Sequence, residues 1–271
     1  MKNLNKEKEV EVFYDQLSTK YEVEHSKRVC DEILEYFLLK FLPKKTKLKI
    51  MDAGGGVGRF SFPLAKNGNE IVLTDISEGM LSEARRIATK NKLQNITFLK
   101  ESIIDMRNQK NNSFDVVLVM NAILDYCGNH KQALKEIFRI LKPNGVLIGN
   151  VNNRFIYSTM HELKEGSIEE FERVARTGDR YIRWGEAKTG HHTHEFTLEE
   201  LKSDFSEAGF EMIHVLGIFN LLGKYANPEW LSDPKKRKKY LELQIKYAQK
   251  EEYINNSWDF FFIAKKPAHS L

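Results

Sequence analysis

The stretch KIMDAGGGVGRFSFPLAKNGNEIVLTDISEGML, residues 49–81, carries the features that decide the fold. An apolar run ends at Asp52, and four glycines then occupy five positions from Gly54 onward. A helical segment closes at Gly68, and a second apolar run ends at Asp75. A strand, a glycine loop, a helix and a second strand in this order are typical of a nucleotide-type site.

The alternation of strand and helix continues through most of the chain. Apolar runs of strand length recur between helical segments, and the connections between them are short. The predicted strands are 47–54, 70–76, 96–102, 114–122, 146–152, 211–219 and 258–266. Strands that alternate with helices predict a mostly parallel sheet covered by helices on both faces. The sequence therefore predicts one α/β domain with seven strands.

Two segments interrupt this alternation. The first insert, residues 152–195, is polar and aromatic and shows no readable strand, and the second insert, residues 222–256, is irregular and helical. Both follow strands at the carboxyl edge of the sheet, where open α/β folds bind ligands, so we expect helical lids there. The predicted single domain comprises capping helices at 1–44, a cofactor-binding core at 45–151, 196–221 and 257–267, and lid inserts at 152–195 and 222–256.

Composition is that of an ordinary soluble globular chain. The 271 residues carry a net charge of +4, which only weakly suggests a nucleic-acid partner. The N-terminus lacks the apolar segment of a secretory signal, and no run reaches the roughly 18 apolar residues of a membrane span. Cys30 and Cys127 show neither metal-type spacing nor a disulfide framework. We expect a cytoplasmic monomer or homodimer without a membrane partner.

The glycine loop is suited to close contact with a ligand. Glycine lets the backbone turn tightly without a Cβ in the way, and the following helix N-terminus favours a negatively charged ligand group. The dinucleotide pattern G-x-G-x-x-G, counted from Gly54, would need a glycine where the chain has Arg59. No G-K-[ST] follows, so the loop is not a P-loop. It is D-x-G-x-G-x-G, from Asp52 to Gly58.

Together with the second acid, Asp75, this segment resembles motifs I and II of the class I S-adenosylmethionine-dependent methyltransferases. The resemblance continues through FLKESIIDM, NSFDVVLVMNAILDY and LKPNGVLIGNV, and covers roughly residues 45–152. It extends more loosely to HEFTLEELKSDFSEAGF and the last strand. It implies a Rossmann-like, doubly wound, seven-stranded sheet that is mostly parallel, with an antiparallel last strand. It also implies S-adenosyl-L-methionine as cofactor and S-adenosyl-L-homocysteine as product.

The resemblance assigns roles around the loop. The glycines would wrap the methionine part of the cofactor, with Asp52 near its ammonium group, and Asp75 would accept both ribose hydroxyls. The implied cofactor residues are Tyr14, Tyr21, Asp52, Gly54, Gly55, Gly56, Gly58, Asp75, Ile76, Met80, Ser102, Ile103 and Asn121. Other interpretations stay open, namely loop capping for Asp52, helix capping for Asp75 and core packing for Met80. The two tyrosines, expected to cover the cofactor, are alternatively ordinary packed aromatics.

After the third strand the chain departs from the family pattern. Aligning ESIIDM with the usual GDAxDL places Ser102 where the family often has an aspartate at the adenine edge, with Ile103 beside it. Asp105 takes that role if the register slips. Asn121 ends the fourth strand and is expected to face the methionine part or the substrate. The chain has MNAILDY there, so the N-P-P-Y motif of DNA and glutamine methyltransferases is absent.

Three histidines, His191, His192 and His194, close the first insert just before a predicted helix start. Because imidazole titrates near neutral pH, one of them is a candidate general base for a hydroxyl acceptor, or a substrate ligand. Structural or solvated roles and metal binding are the alternatives. No carboxylate or cysteine cluster completes a metal site in the sequence, so no metal is predicted.

The first insert also carries the candidate substrate residues. Arg154, Tyr157, Arg183 and Trp184 would suit an anionic or aromatic substrate through charge pairing and stacking. Packing within the lid is the alternative. The basic run DPKKRKKY at 233–240 is interpreted mainly as a solvated face.

A single domain with lids and capping helices favours an enzyme that methylates oxygen or nitrogen of a small molecule by in-line displacement. A methyltransferase acting on tRNA or protein is the first alternative. It would usually bring a recognition domain or a stronger basic surface, so a nucleic-acid partner is not expected. A non-catalytic protein that binds S-adenosylmethionine is the second alternative, and the intact acids and glycines argue against it.

Overall fold

The computed structural model describes residues 2–25, 29–156, 167–182, 188–219 and 232–268. These residues contain one seven-stranded sheet, one two-stranded sheet and the helices that pack around them. Among the described helices, none combines the length and the apolar character needed to cross a bilayer.

Helices and strands follow one another along the chain. The helices are α1 Lys2–His25, α2 Val29–Phe41, α3 Ser61–Lys66, α4 Glu78–Lys90, α5 Ile123–Tyr126, α6 His130–Ile140, α7 Ile168–Thr177, α8 Leu198–Glu207, α9 Pro234–Tyr247 and α10 Glu251–Asn255. The strands are β1 Lys49–Ala53, β2 Glu70–Asp75, β3 Ile96–Lys100, β4 Phe114–Val119, β5 Leu141–Asn152, β6 Asp179–Ile182, β7 His191–His194, β8 Glu211–Ile218 and β9 Asp259–Lys265.

The large sheet confirms the predicted architecture. Its strand order is β3-β2-β1-β4-β5-β9-β8, and β9 runs antiparallel to both of its neighbours. β1 pairs in parallel with β2 on one side and with β4 on the other, so the order reverses between β1 and β4. Open α/β sheets bind ligands outside the carboxyl ends of the strands at such a reversal.

Apolar side chains cover both faces of the sheet. One cluster joins α2, α3 and α4 to one face through residues that include Phe37, Leu64 and Leu81. A second cluster joins α6 and α8 to the other face through residues that include Ile137 and Phe205. Two covered faces explain why β1, β4 and β9 are almost continuously apolar in sequence.

α1 lies over the carboxyl edge of the sheet and packs against α4. A carboxylate oxygen of Asp15 accepts hydrogen bonds from the Ser77 hydroxyl at 2.5 Å and from the Gly79 backbone N–H at 3.0 Å. Ser77 is itself the N-cap of α4, because its hydroxyl accepts from the Met80 backbone N–H at 3.0 Å. One polar cluster thus fixes both the start of α4 and the position of α1.

The first insert contradicts the prediction that it lacks strands. β6 and β7 pair antiparallel, with Asp179 opposite His194 and Ile182 opposite His191. The histidines therefore lie on a strand, and α8 begins only after its N-cap, Thr197. The sequence HHTH contains no apolar residue, so the alternation of apolar and polar residues that indicates a strand is missing.

The start of β5 also differs from the prediction. The strand predicted over 146–152 begins at Leu141, because Leu141 is extended and pairs with Phe114. Pro143 consequently lies within the first part of β5. The capping helices predicted over 1–44 are α1 and α2.

The described part of the second insert packs against the domain. α9 contacts α2, where Arg237 donates to Glu32, and α10 contacts β8. The backbone N–H of Gly217 in β8 donates to the carbonyl oxygen of Ala248 at 2.8 Å. These contacts attach residues 232–256 to the α2 and β8 side of the sheet.

Candidate active site

A cleft of about 880 Å³, including its solvent-open part, lies at the strand reversal. Its walls come from α1, the glycine loop and the segments that follow β2, β3 and β4. The predicted cofactor residues that line it are Tyr14, Tyr21, Asp52, Gly54, Gly55, Gly56, Asp75, Ile76, Met80, Ile103 and Asn121. No described residue of either insert belongs to these walls.

The glycine loop has the backbone conformation that its composition predicts. Gly54, Gly56 and Gly58 have φ values of 70°, 53° and 87°, a region that side chains disfavour. A Cβ at Gly56 would meet no described atom within 4 Å, so the loop presents bare backbone to the cleft. A Cβ at Gly58 would collide with the Phe62 ring. Gly58 is therefore needed for packing against α3 and is not part of the cleft wall, contrary to its predicted cofactor role.

Asp75 ends β2 and braces the loop. Its Oδ2 accepts from the Gly56 backbone N–H and its Oδ1 from the Ser77 backbone N–H, both at 2.9 Å. Burial raises the pKa of this carboxyl to about 6. The Ile76 backbone N–H also donates to this carboxylate, and an acceptor position remains for a ligand hydroxyl.

Asp52 ends the apolar part of β1 at the other side of the loop. Its Oδ2 accepts from the Ser61 hydroxyl at 2.7 Å, and its side chain is almost fully buried. Burial raises the pKa of Asp52 to about 6. A buried carboxyl that faces a cleft gains from a cationic ligand group, which offsets the desolvation of its charge.

After β3, the acid at the cleft is Glu101 and not the predicted Ser102. Oε2 of Glu101 accepts from Gln109 at 2.7 Å, while its Oε1 is buried and has no hydrogen-bond partner among the described residues. Ser102 lies outside the wall and donates its hydroxyl to Glu7 of α1. Asp105 is partly exposed and pairs with Arg107. The sequence signal for Glu101 was an acid at the end of β3, one position before the residue that the aligned pattern indicated.

Arg59 is a second residue that the sequence reasoning missed. It follows the glycine loop and lines the cleft. Its Nη1 donates to Asp31 at 2.5 Å, and its guanidinium carbon lies 5.8 Å from the centre of the Tyr21 ring. Its Nη2 is buried and meets no acceptor in the described ranges. A free donor of this kind can bind an anionic ligand group such as a carboxylate.

α1 closes the cleft with aromatic and acidic side chains. The Tyr14 ring lies 6.1 Å from that of Tyr21 and 6.5 Å from that of Tyr126. Glu7 also lines the cleft, and burial raises the pKa of its carboxyl. The two predicted tyrosines are therefore part of the wall that α1 forms.

The turn after β4 forms the far end of the cleft. Asn121 and Ala122 both have left-handed φ values, 60° and 62°, which are unusual for residues with a side chain. The backbone N–H of Asn121 donates to Oδ1 of Asn150 at 2.7 Å, which holds this turn. Cys127 lines the same end, and burial raises the pKa of its thiol to about 12. The Cys127 thiol is therefore uncharged at neutral pH.

The three histidines of β7 do not share one environment. His191 is fully buried and its ring lies 5.1 Å from Tyr126 and 6.0 Å from Tyr14, directly behind two cleft residues. Burial lowers the pKa of His191, and its Nε2 has no partner within the described structure. His192 and His194 instead line a second cavity of about 690 Å³ on the other side of α5.

Arg154, the predicted substrate residue within the described ranges, does not line the cleft. Arg154 is buried, donating from Nε to the Glu195 carbonyl oxygen at 2.9 Å and from Nη2 to Glu200, and it lines neither cavity. Its charge is thus used to attach the first insert to α8. Tyr157, Arg183 and Trp184 lie outside the described residues.

The chain matches known proteins over most of its length. A family model described as a methyltransferase domain matches residues 44–209. The chain belongs to this methyltransferase family. The S-adenosylmethionine-dependent methyltransferase predicted from the glycine loop and the two acids is thereby confirmed.

Relatives of this methyltransferase differ in what their names say they act on. The tRNA 5-carboxymethoxyuridine methyltransferase of Escherichia coli (strain K12) is 24% identical over 233 residues, 82% of this chain and 81% of that one. The ubiquinone biosynthesis O-methyltransferase of Rickettsia typhi is 31% identical over 109 residues, 40% of this chain and 43% of that one.

Solved structures share the fold of the methyltransferase. The S-adenosylmethionine-dependent methyltransferase of Methanosarcina mazei is similar with a TM-score of 0.62 and 20% identity, over 86% of this chain and 98% of that one. A Haloferax volcanii methyltransferase, in complex with the Trm112 methyltransferase activator, has a TM-score of 0.65 and 17% identity, over 97% of this chain and 99% of that one.

The residues around the cleft of this methyltransferase fit S-adenosylmethionine. The cofactor carries an ammonium group, a carboxylate, a ribose diol and an adenine. Asp52, Arg59 and Asp75 offer the complementary charges and acceptors, and Oε1 of Glu101 offers a further unpaired acceptor. The bare backbone at Gly56 leaves room for close approach.

Proposed function

We propose that this methyltransferase transfers a methyl group from S-adenosylmethionine to oxygen or nitrogen of a small-molecule acceptor. The observation that carries this proposal is the roofed form of the cleft, whose roof is α1 and whose far end is the Asn121 turn. A roofed cleft admits a ligand that fits inside it, which favours a small acceptor over an extended surface.

Polar contacts at several points along α1 support a fixed roof. Glu7 accepts from Ser102, Glu11 from Lys100 at 2.9 Å, and Asp15 from Ser77 and Gly79. Between Glu7 and Glu11, the Oε2 atom of Glu9 lies 2.7 Å from Nδ1 of His192 in β7. These contacts join α1 to the ends of β2 and β3 and to β7, so it is positioned to exclude water from the reacting groups.

The proposed cofactor set follows from charge and position. Asp75 accepts the ribose hydroxyls, Asp52 faces the ammonium group, and Arg59 binds the carboxylate. Glu101 accepts from the adenine amino group through its unpaired oxygen. Apolar walls for the adenine come from Ile76, Met80 and Ile103. The bound cofactor supplies an activated methyl on a sulfonium, and the protein supplies orientation.

His191 is the proposed general base of the three histidines. Its lowered pKa keeps the imidazole neutral at pH 7, and its Nε2 lone pair is free among the described residues to take a proton from an acceptor hydroxyl. Tyr14 and Tyr126 lie between this ring and the cleft, so they are the side chains that must admit the acceptor. An acceptor that loses its proton readily would need no general base, and the protein would only have to orient it.

A tRNA acceptor is the second candidate function. It is favoured by the name of the Escherichia coli relative, which aligns with 82% of this chain. The α9 helix adds an exposed basic surface that includes Lys235, Lys236 and Lys238, suited to phosphate contacts. The expectation that nucleic acid is not a partner therefore stays a prediction.

One labelling experiment separates these functions. The purified full chain is incubated with methyl-labelled S-adenosylmethionine and either a small-molecule extract or total tRNA. Label in a small product that disappears with the Asp75→Ala variant supports the proposal. Label in tRNA favours the second candidate. Binding of the cofactor without transfer to either fraction would favour a non-catalytic binding protein.

A further inference from the structure

The second cavity, which lies behind α5, is lined by buried polar atoms without hydrogen-bond partners among the described residues. It lies between α5, the start of α6 and β7, and its volume is about 690 Å³. Oδ2 of Asp125 and Oγ1 of Thr193 belong to buried residues that line it, and neither atom has a partner in the described part of the chain. Buried polar atoms without partners usually indicate a bound ligand, ion or water.

A cluster of metal-ligating side chains adjoins this cavity. One ring nitrogen each from His130 and His194 and one carboxylate oxygen of Glu200 all lie within 4.8 Å of one another. The two imidazole rings stack with their centres 4.6 Å apart, and both line the cavity. Ligand atoms around zinc lie about 3.3 Å apart at tetrahedral angles, so a modest contraction of partly exposed side chains would enclose an ion.

We infer that His130, His194 and Glu200 form a binding site for a divalent transition-metal ion, of which zinc is the best fit. Two imidazoles and one carboxylate suit zinc and its neighbours in the first transition row, whereas magnesium and calcium prefer oxygen ligands throughout.

Each ligand has a partner that would hold it in place. Nδ1 of His194 lies 3.2 Å from Oδ1 of Asp179, and Nε2 of His130 lies 2.9 Å from Oδ2 of Asp204. The other oxygen of Glu200 accepts from Arg154. Metal-binding histidines commonly donate their second ring N–H to a carboxylate in this way.

The contact between His194 and Glu200 also requires a cation or a proton. If Nδ1 of His194 donates to Asp179, then its Nε2 lone pair faces Oε1 of Glu200 at 3.0 Å. Two acceptors at that distance repel each other unless a positive charge lies between them. A metal ion between them satisfies both atoms at once.

The ion would connect three separate elements. His130 begins α6, His194 ends β7, and Glu200 lies in the first turn of α8. A metal bound there would attach the hairpin of the first insert to the core, beside the strand that carries His191. Metal binding is therefore expected to stabilise the folded chain, because the unfolded chain lacks the assembled site.

The test uses tag-free full-length protein, stripped with a chelator and titrated with Co²⁺ as a spectroscopic probe and then with Zn²⁺ in competition. We expect one equivalent to bind, with visible absorption typical of nitrogen and oxygen ligands, and a rise in Tm of roughly 5 °C or more at saturating Zn²⁺. Asp179→Asn should weaken binding by about 10- to 100-fold, and His194→Ala and Glu200→Gln by more.

The control is His214→Ala, which removes a histidine of β8 that packs beside Phe41 and should leave metal affinity unchanged. Circular dichroism checks that each variant is folded. If His194→Ala does not fold, Glu200→Gln is used as the test variant in its place. The inference is wrong if the intact protein binds Co²⁺ and Zn²⁺ no tighter than the folded Glu200→Gln variant. Neither readout depends on methyl transfer.

Discussion

The glycine-loop side of the cleft and the histidine side, which lies behind the cleft wall formed by α1 and α5, are built in different ways. On the glycine-loop side, the hydrogen-bonded pair Gly56 and Asp75 is only 19 residues apart in sequence. On the histidine side, the pair Glu9 and His192 is separated by 183 residues. The first side is one continuous strand-loop-helix-strand unit, whereas the second is assembled from α1, α5 and β7. A local unit keeps its geometry through its own backbone, and an assembled one depends on the packing of distant segments.

This difference predicts different consequences of mutation. Changes on the glycine-loop side should act on cofactor affinity, because backbone and carboxylates there line the cleft. Changes on the histidine side should act on turnover, since His191 lies behind the cleft wall and is not itself part of it. Cofactor affinity and turnover should therefore be measured for the same variants, and a change on one side that altered the other quantity would contradict this difference.

The largest effect is expected for His191→Gln. Glutamine fills similar space but cannot take a proton, so kcat should fall by about a hundredfold or more with an acceptor hydroxyl. Affinity for S-adenosylhomocysteine should stay near its original value. Steady-state assays from pH 6 to 9 and calorimetry check both statements.

His192→Gln is the matched comparison for that prediction. His192 lies on the same strand but on the side that faces Glu9 and the second cavity. It should change turnover far less than His191→Gln does. If both variants keep normal turnover and pH dependence, the cluster is structural, and a nitrogen or sulfur acceptor becomes the better candidate.

The second effect is expected for Asp75→Ala. Losing a charged acceptor for the ribose hydroxyls should weaken S-adenosylmethionine binding by about 1.5–3 kcal/mol. Calorimetry against Asp105→Ala gives the comparison, because Asp105 is a partly exposed acid near the same edge that pairs with Arg107. Equal losses in the two variants would contradict a specific role for Asp75.

The sequence was sufficient to predict the core of the fold and the glycine-loop side. Apolar runs and glycines identified the strands, and the seven-stranded order with its antiparallel last strand is confirmed. The acids at Asp52 and Asp75 could be found because strand ends and glycine positions are local signals. The positive φ at Gly56 likewise follows from residue type.

The histidine side could not be predicted because its determinants are not local. β7 is made of HHTH, and only its pairing with β6 reveals a strand. The sequence predicted Arg154 as a substrate residue and gave no sign of its contacts with Glu195 and Glu200, since these partners come together only in the folded chain. Glu101 was missed through an error of one position in the alignment of a short motif.

The third effect is a pH dependence of cofactor binding. Burial raises the pKa of both Asp52 and Asp75 to about 6, and the proposed contacts require the ionised carboxyls. Affinity should therefore be complete above pH 6 and fall as the pH decreases through 6, by about tenfold at pH 5 for each carboxyl. Calorimetry with S-adenosylhomocysteine from pH 5 to 8 measures this, and Asp75→Asn should flatten part of the slope. An unchanged affinity at pH 5 would contradict it.

The same raised pKa values have the opposite effect on the free protein. Between about pH 4 and 6 the folded state holds protons that the unfolded state has released, so its free energy of unfolding should fall as the pH rises through that window. Ligand-free and ligand-bound samples should thus respond to pH in opposite directions. Thermal unfolding with and without S-adenosylhomocysteine separates the two responses.

The smallest effect is expected for alanine substitutions at two glycines that share a left-handed backbone conformation but lie in different surroundings. Gly56 and Gly68 have φ values of 53° and 85°, and a Cβ at either would meet no described atom within 4 Å. Alanine at either position should therefore cost about 1 kcal/mol of stability from the left-handed backbone alone. Because Gly56 faces the cleft and Gly68 ends the α3 segment, only Gly56→Ala should also weaken S-adenosylmethionine binding. Urea unfolding and calorimetry on both variants test this, and equal affinities would mean that bare backbone at Gly56 serves the turn and not the cofactor.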